Sequence, residues 1–475
     1  DEAMRQLEET WEQGVGADDA QVERERQQLR ERARFEQLAS REPVSTFSLD
    51  VGDVSFHLAR QALENNERPD PARIRTEDFL NAFDYGDPSP RGSSPVAVVT
   101  EQAAHPFQQE RNLLRVSLRT AATGRAPQKP LNLTMVLDNS GSMERADRKE
   151  IVEGMMTELS ALLHEQDSIS LISFSRRPRL VLQQMRGDRA NALAEIVGQI
   201  PVEGGTNIEE GLRLGNQVAV DQFDPDAGNR IVMITDGAAN LGEDDPDVLA
   251  EKVRNLRQQG IGLDIFGVGA DGLNDELLHR LAQIGDGRYR MLNDPGVDGG
   301  NFARALAGAF HPMARDVKIQ VEFNPRRVGN FRLLGYEQSR LREEDFRDDT
   351  VQAGQLAADE NGVALYSVEV MPNGSGEIGT VRVRFEDAAD GQIKEMSWAI
   401  PYQPRVPELE DAQPGIRLAA AAAFLAESLQ ESPWGELVDH DRLRQLAATL
   451  PDEFPGSEQV GQLQQMINVI SAGAP

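Results

Sequence analysis

The stretch Leu133-Thr134-Met135-Val136-Leu137-Asp138-Asn139-Ser140-Gly141-Ser142-Met143 runs a compact apolar segment straight into a polar, glycine-containing loop. Apolar residues without polar alternation read as a strand buried on both faces, which is the habit of a parallel sheet covered by helices. The same rhythm recurs downstream. Apolar strands at Ile169–Phe174, Ile231–Ile234 and Leu263–Val268 alternate with helical segments at Arg148–Leu163, Arg189–Ile200, Ile208–Val220, Asp247–Gln259, Asp275–Ile284 and Phe302–Phe310. Strand and helix in strict turn predict a doubly wound, Rossmann-like α/β domain over residues 130–312.

On either side the texture changes. Short β-type runs stand at Ser45–Val51, Val96–Val99 and Leu113–Leu118, and again at Val317–Phe323, Phe331–Leu334, Ala364–Val370, Val381–Phe385 and Met396–Ile400. Several alternate apolar and polar residues, as half-buried antiparallel strands do. Two short helices are predicted at Val54–Leu63 and Thr76–Phe83, separated by Pro69-Asp70-Pro71. With about three strands before and five after, neither block closes a sandwich alone. The expected arrangement is one β-sandwich built from 44–129 and 313–403, into which the α/β domain is inserted. Residues 1–43, rich in Glu, Gln and Arg, read as a charged helical or mobile leader, and 404–475 as a small α-helical cap.

Composition bounds the function. The 475 residues carry 49 Lys+Arg against 79 Asp+Glu, a net charge of −30. That charge repels nucleic acid and anionic lipid, so neither is an expected partner. Cysteine is absent, which removes disulfides, thiolate metal sites and a cysteine nucleophile. The most apolar run, Ile416–Leu425, contains Arg417 and is too short to span a membrane. Histidines 57, 105, 164, 279, 311 and 440 are scattered and lack ligand spacing.

The loop after Leu137 is where the chemistry gathers. In an extended loop, Asp138, Ser140 and Ser142 project to one side at the carboxyl end of a parallel strand, where ligand sites of open α/β sheets lie. Gly204-Gly205-Thr206-Asn207 and Thr235-Asp236-Gly237 follow at the same sheet edge. All the donors are hard oxygens, suited to Mg²⁺, Mn²⁺ or Ca²⁺. No nucleophile or general base stands beside them, so a docking point is expected rather than an enzyme.

Asp138, Ser140, Ser142, Thr206 and Asp236 together resemble the metal-ion-dependent adhesion site of von Willebrand factor type A domains. Ser45–Val51, Phe79–Tyr85 and Asp316–Pro325 further resemble the segments flanking that domain in bacterial YfbK-like proteins, a group sometimes called calcium-activated chloride channel homologues. The resemblance implies that Ser140, Ser142 and Thr206 are hydroxyl ligands, with Asp138 and Asp236 binding directly or through water. It implies a divalent cation, Mg²⁺ first and Ca²⁺ or Mn²⁺ as alternatives, bridging to an Asp or Glu of a protein partner. A structural or assembly protein with non-metal contacts, or an accessory subunit of an AAA-type ATPase, is the alternative. Self-association is expected through the leader or the helical cap, and the expected location is the cell envelope, periplasmic or extracellular, with the cytoplasm as alternative. The ion is expected at the far end of the α/β domain from the sandwich, both junctions lying at the opposite end, the second reached through Phe302–Phe310.

Overall fold

The computed structural model describes residues 36–473, apart from 50, 93, 122–129, 238–240, 243–244, 270–271, 293–311 and 389. Its first part holds β1 (Gln37–Leu38), β2 (Val44–Ser48), α1 (Val54–Glu64), α2 (Thr76–Leu80), β3 (Val96–Ala104) and β4 (Arg111–Thr120). The α/β unit follows with β5 (Leu131–Asp138), α3 (Ala146–Leu162), β6 (Ser168–Phe174), β7 (Arg179–Arg186), α4 (Leu193–Gly198) and α5 (Ile208–Asp221). It continues through β8 (Gly228–Thr235), α6 (Pro246–Gln258), β9 (Ile261–Val268), α7 (Asp275–Ile284) and β10 (Tyr289–Leu292). Strands return as β11 (Pro312–Phe323), β12 (Val328–Leu334), β13 (Arg340–Leu341), β14 (Gly354–Ala357), β15 (Asn361–Val370), β16 (Gly379–Asp387) and β17 (Ile393–Ile400). Last come α8 (Pro414–Leu429), α9 (His440–Ala447), α10 (Leu450–Glu453) and α11 (Glu458–Ser471).

The α/β sheet runs β10-β9-β8-β5-β6-β7, all parallel except β7. Alternate residues of β5 feed two cores. Leu133, Met135 and Leu137 pack with Val152, Met155 and Leu193 on the α3 and α4 side, while Val136 packs with Leu212, Leu249 and Leu277 on the α5, α6 and α7 side. Helices on both faces are what make the sheet doubly wound. Helix α5 rides unusually close, because a Cβ at Gly211 would stand 2.9 Å from the Phe174 ring and one at Gly215 2.8 Å from Val136. Two strands beyond the sequence-based expectation, β7 and β10, complete the sheet. The expected helix Phe302–Phe310 lies outside the described residues.

The flanking strands form two antiparallel sheets, β1-β12-β15-β4-β3 and β13-β2-β11-β16-β17, with β14 on β11. Each sheet mixes strands from before and after the α/β unit, so the unit is inserted into one sandwich. Its core joins Phe47, Leu114, Val116 and Leu118 to Ile319, Val321, Phe331, Tyr366 and Val383. One boundary moves. Gln37–Leu38 pairs with β12 and Ala39 lies in the sandwich core, so part of the expected leader belongs to the sandwich; the rest of it lies outside the described residues.

Residues 404–473 are more than a cap. Nearly all of α8 is buried, and with α11 it packs against Phe56 of α1, Phe79 of α2 and Leu113, Leu334, Val363 and Leu365 from the outer face of one sheet. The five consecutive alanines Ala419–Ala423 allow this close packing. Arg332 of β12 reaches Glu427 of α8 at 2.6 Å, both buried, and its guanidinium lies 4.3 Å from the centre of the Trp434 ring.

The α/β unit does not stand clear of the sandwich on a stalk. Its β10 edge lies side-on against the other layers. Arg290 meets Asp53 at 2.7 Å and Glu360 at 3.0 Å, and Arg288 meets Glu360 at 2.7 Å. Arg75, ahead of α2, meets Asp275 of α7 at 2.6 Å. Arginines so deeply covered require acidic partners, since an unpaired buried charge is strongly destabilising.

Candidate functional site

Asp138 ends β5, and its carboxylate accepts from the Ser140 amide at 2.9 Å and from the Thr235 hydroxyl at 2.7 Å. The second bond ties the β5 end to the β8 end, one residue before Asp236. Ser140 and Ser142 stand with their hydroxyl oxygens 3.1 Å apart. The loop carrying Thr206 is laced to this one. Ser140 bridges Glu203 in a parallel fashion, the Glu203 amide donates to the Asn139 carbonyl at 3.1 Å, and the Asn139 side-chain amide donates to the Pro201 carbonyl at 2.8 Å. Asn139 thus locks two loops together. The Asn207 side chain caps α5 by accepting from the Glu210 amide at 3.0 Å, which fixes where that helix begins, two residues after Thr206.

Burial is uneven across the five residues. Asp138, Ser140, Thr206 and Asp236 are buried and only Ser142 is part-exposed, while Gly141, Glu144, Glu203, Gly204, Leu241 and Gly242 stand exposed around them. Burial, with the neighbouring Asp236 charge adding to it, raises the Asp138 carboxyl to about 6. Two carboxylates crowded out of water repel one another. A hard divalent cation among oxygen donors would relieve that repulsion, so the donor set fits such an ion. Among the described residues no three of His, Cys, Asp and Glu gather to share a metal; an ion here would depend on the hydroxyls.

One residue absent from the sequence reading sits inside the site. Arg148 of α3 is 2% exposed, donates from Nη1 to the Asp236 carboxylate and also approaches the Ser142 carbonyl at 3.3 Å. Its signal was present in the pattern. Arg148 begins the buried stripe Arg148, Val152, Met155, Met156 and Leu159 of α3, and a charge on a core-facing stripe demands a buried partner. Among the described residues no histidine joins the site: His105, for instance, is buried, its Nδ1 accepts from the Phe107 and Gln108 amides at 3.2 Å, and burial pulls its ring down to about 3.

Comparison with known families places these elements together. Residues 21–115 match the description von Willebrand factor, residues 133–238 match von Willebrand factor type A domain, and residues 308–472 match the C-terminal region of the uncharacterized protein YfbK. The middle span contains all five candidate residues. The uncharacterized protein YfbK of Escherichia coli (strain K12) is 29% identical over 437 residues, covering 87% of this chain and 76% of that protein. The uncharacterized protein sll0103 of Synechocystis sp. is 26% identical over 338 residues, covering 67% of this chain and 76% of its own length. Among solved structures, a von Willebrand factor type A protein from Catenulispora acidiphila superposes with a TM-score of 0.48 at 17% identity, covering 79% of this chain and 96% of that one. With the domain at its centre and similarity to the YfbK protein over most of its length, the chain is a von Willebrand factor type A domain protein that resembles YfbK through its flanks.

Proposed function

We propose that the type A domain is a cation-dependent docking module for a protein partner, and not an enzyme. Ser140, Ser142 and Thr206 are its hydroxyl donors, and Asp138 and Asp236 its carboxylates. The observation that carries the reading is the pair of serine hydroxyls 3.1 Å apart beside the buried Asp138 carboxylate. A bound divalent cation, Mg²⁺ foremost, supplies an open coordination position for an incoming carboxylate. Both carboxylates of the chain are engaged: Asp138 by an amide and a hydroxyl, Asp236 by Arg148. They therefore serve best through water or with one lone pair each, leaving the hydroxyls as the direct donors.

A second reading, in which these residues brace three loops, draws support from the burial of four of the five. Calorimetric titration of the full chain with MgCl₂ and MnCl₂ separates the two. Saturable binding that disappears in Asp138→Ala and in the Ser140→Ala, Ser142→Ala double variant, with melting temperature little changed in EDTA, is the expected result. Silent titration of the wild type, or serine variants that lose stability and nothing else, would leave the brace.

A further inference from the structure

We infer that Arg148 is the built-in counter-ion of the cation site: it holds the Asp236 carboxylate when no metal is present, weakens cation binding, and keeps a bound cation hungry for a partner's carboxylate. The inference rests on the docking reading above. Three features point to it.

Position comes first. Side chains on a helix lean toward its amino end, so Arg148, in the first turn of α3, is directed back toward the end of β5 and not along the apolar stripe below it. Second, the wall behind it is shaped to receive a guanidinium. Gly269 adopts φ +73°, and a Cβ there would stand 2.9 Å from Arg148 Nε and 3.1 Å from Nη2. The same Nε is buried without a hydrogen-bond partner, which means that the residue is held by its Nη1 contacts and by shape. Third, the two carboxylates are treated differently. Asp138 receives an amide and a hydroxyl, both neutral, whereas Asp236 receives a full positive charge, with 0% and 3% of the two side chains exposed.

Asp138 and Asp236 offer −2, and Arg148 returns +1, so the set carries −1 toward a +2 ion. A cation entering the site meets a fixed like charge, and one already bound retains more of its own charge for an external anion. Arg148 is thus a positioning residue whose removal should tighten metal binding, the opposite of what loss of a plain structural support would do. Even with water-like screening, a unit charge about 5 Å from a divalent ion is worth roughly tenfold in affinity.

Calorimetric titration of the full chain with MgCl₂ and MnCl₂ tests this on wild type, Arg148→Gln and Arg148→Lys, with melting in EDTA to establish folding. Arg148→Gln should bind about tenfold more tightly, and Arg148→Lys, which keeps the charge, should return to within about threefold of wild type. Should Arg148→Gln fail to fold, Arg148→Met, which keeps the apolar stem and drops the charge, should also tighten binding. Equal or weaker binding in a folded variant would overturn the counter-ion role and leave the docking reading intact. If neither wild type nor any folded variant takes up either ion, the docking reading fails and this inference falls with it.

Discussion

Replacing Glu77 by glutamine should make the protein more stable, and increasingly so as the pH rises from 5 to 8. Glu77 lies on α2, 5% exposed, where it accepts from the Tyr336 amide at 2.9 Å. Burial, reinforced by the charges of Glu337 and Asp78, lifts its carboxyl from 4.5 to about 8. Below pH 4.5 folded and unfolded chains both hold the proton, and the position contributes its full stability. Between 4.5 and 8 the unfolded chain releases it while the folded chain does not, so stability falls with pH at about 1.4 kcal/mol per unit. Above about 8 both are ionised and the loss is complete, on the order of 5 kcal/mol. Glutamine keeps an oxygen acceptor for the Tyr336 amide and has nothing to titrate. Denaturant midpoints for wild type and Glu77→Gln at pH 5, 6.5 and 8 should therefore diverge, with the variant gaining most at pH 8. A difference that stays constant across the three pH values would refute the assignment of a buried, protonated Glu77.

Removing Glu427 as alanine leaves Arg332 buried beneath Trp434 without its partner, and should cost about 3–5 kcal/mol in chemical denaturation; a loss below about 1 kcal/mol would show that Arg332 escapes to water. Adding one methyl at Gly211 drives a Cβ to 2.9 Å from the Phe174 ring, and Gly211→Ala should destabilise by about 1–3 kcal/mol through overpacking. Melting of that variant unchanged from wild type would mean that α5 can lift from the sheet freely.

What the sequence disclosed depended on how each segment is buried. Strands β5, β8 and β9, covered on both faces, left compact and mostly apolar runs, and the Asp138-to-Ser142 loop lay at the end of the first of them. Strand β7 left no such trace. It is the antiparallel edge strand, mostly exposed, and Arg179-Leu180-Val181-Leu182-Gln183-Gln184-Met185-Arg186 carries no strict alternation and only the short apolar run Leu180-Val181-Leu182. Strand β10 has four residues, too few for periodicity to register. Gln37–Leu38 was hidden because two ladder positions in a charged stretch add no apolar pattern. Arg148 and Thr235 were missed because the adhesion-site motif names only ion-facing side chains, while these two act on the carboxylates from behind. The helix stripe of α3 held the clue to Arg148, and it surfaces once the stripe is read for the residue that breaks it.

Helix α8 has a consequence for synthesis on the ribosome. Phe56, Phe79 and Leu80 are made more than 330 residues before Ile416, Phe424 and Leu425, against which they pack. Until α8 emerges, the outer face of the β4 and β15 sheet and the apolar sides of α1 and α2 have nothing to cover them. The α/β unit draws its two cores from one continuous span apart from Val54 and Leu58 of α1, which are made before it, and can close them earlier. Vectorial growth therefore favours a half-built intermediate in which the inserted domain is folded and its host is still open. For that interval the nascent chain exposes a broad apolar face beside unpaired strand edges, the kind of surface that chaperones bind.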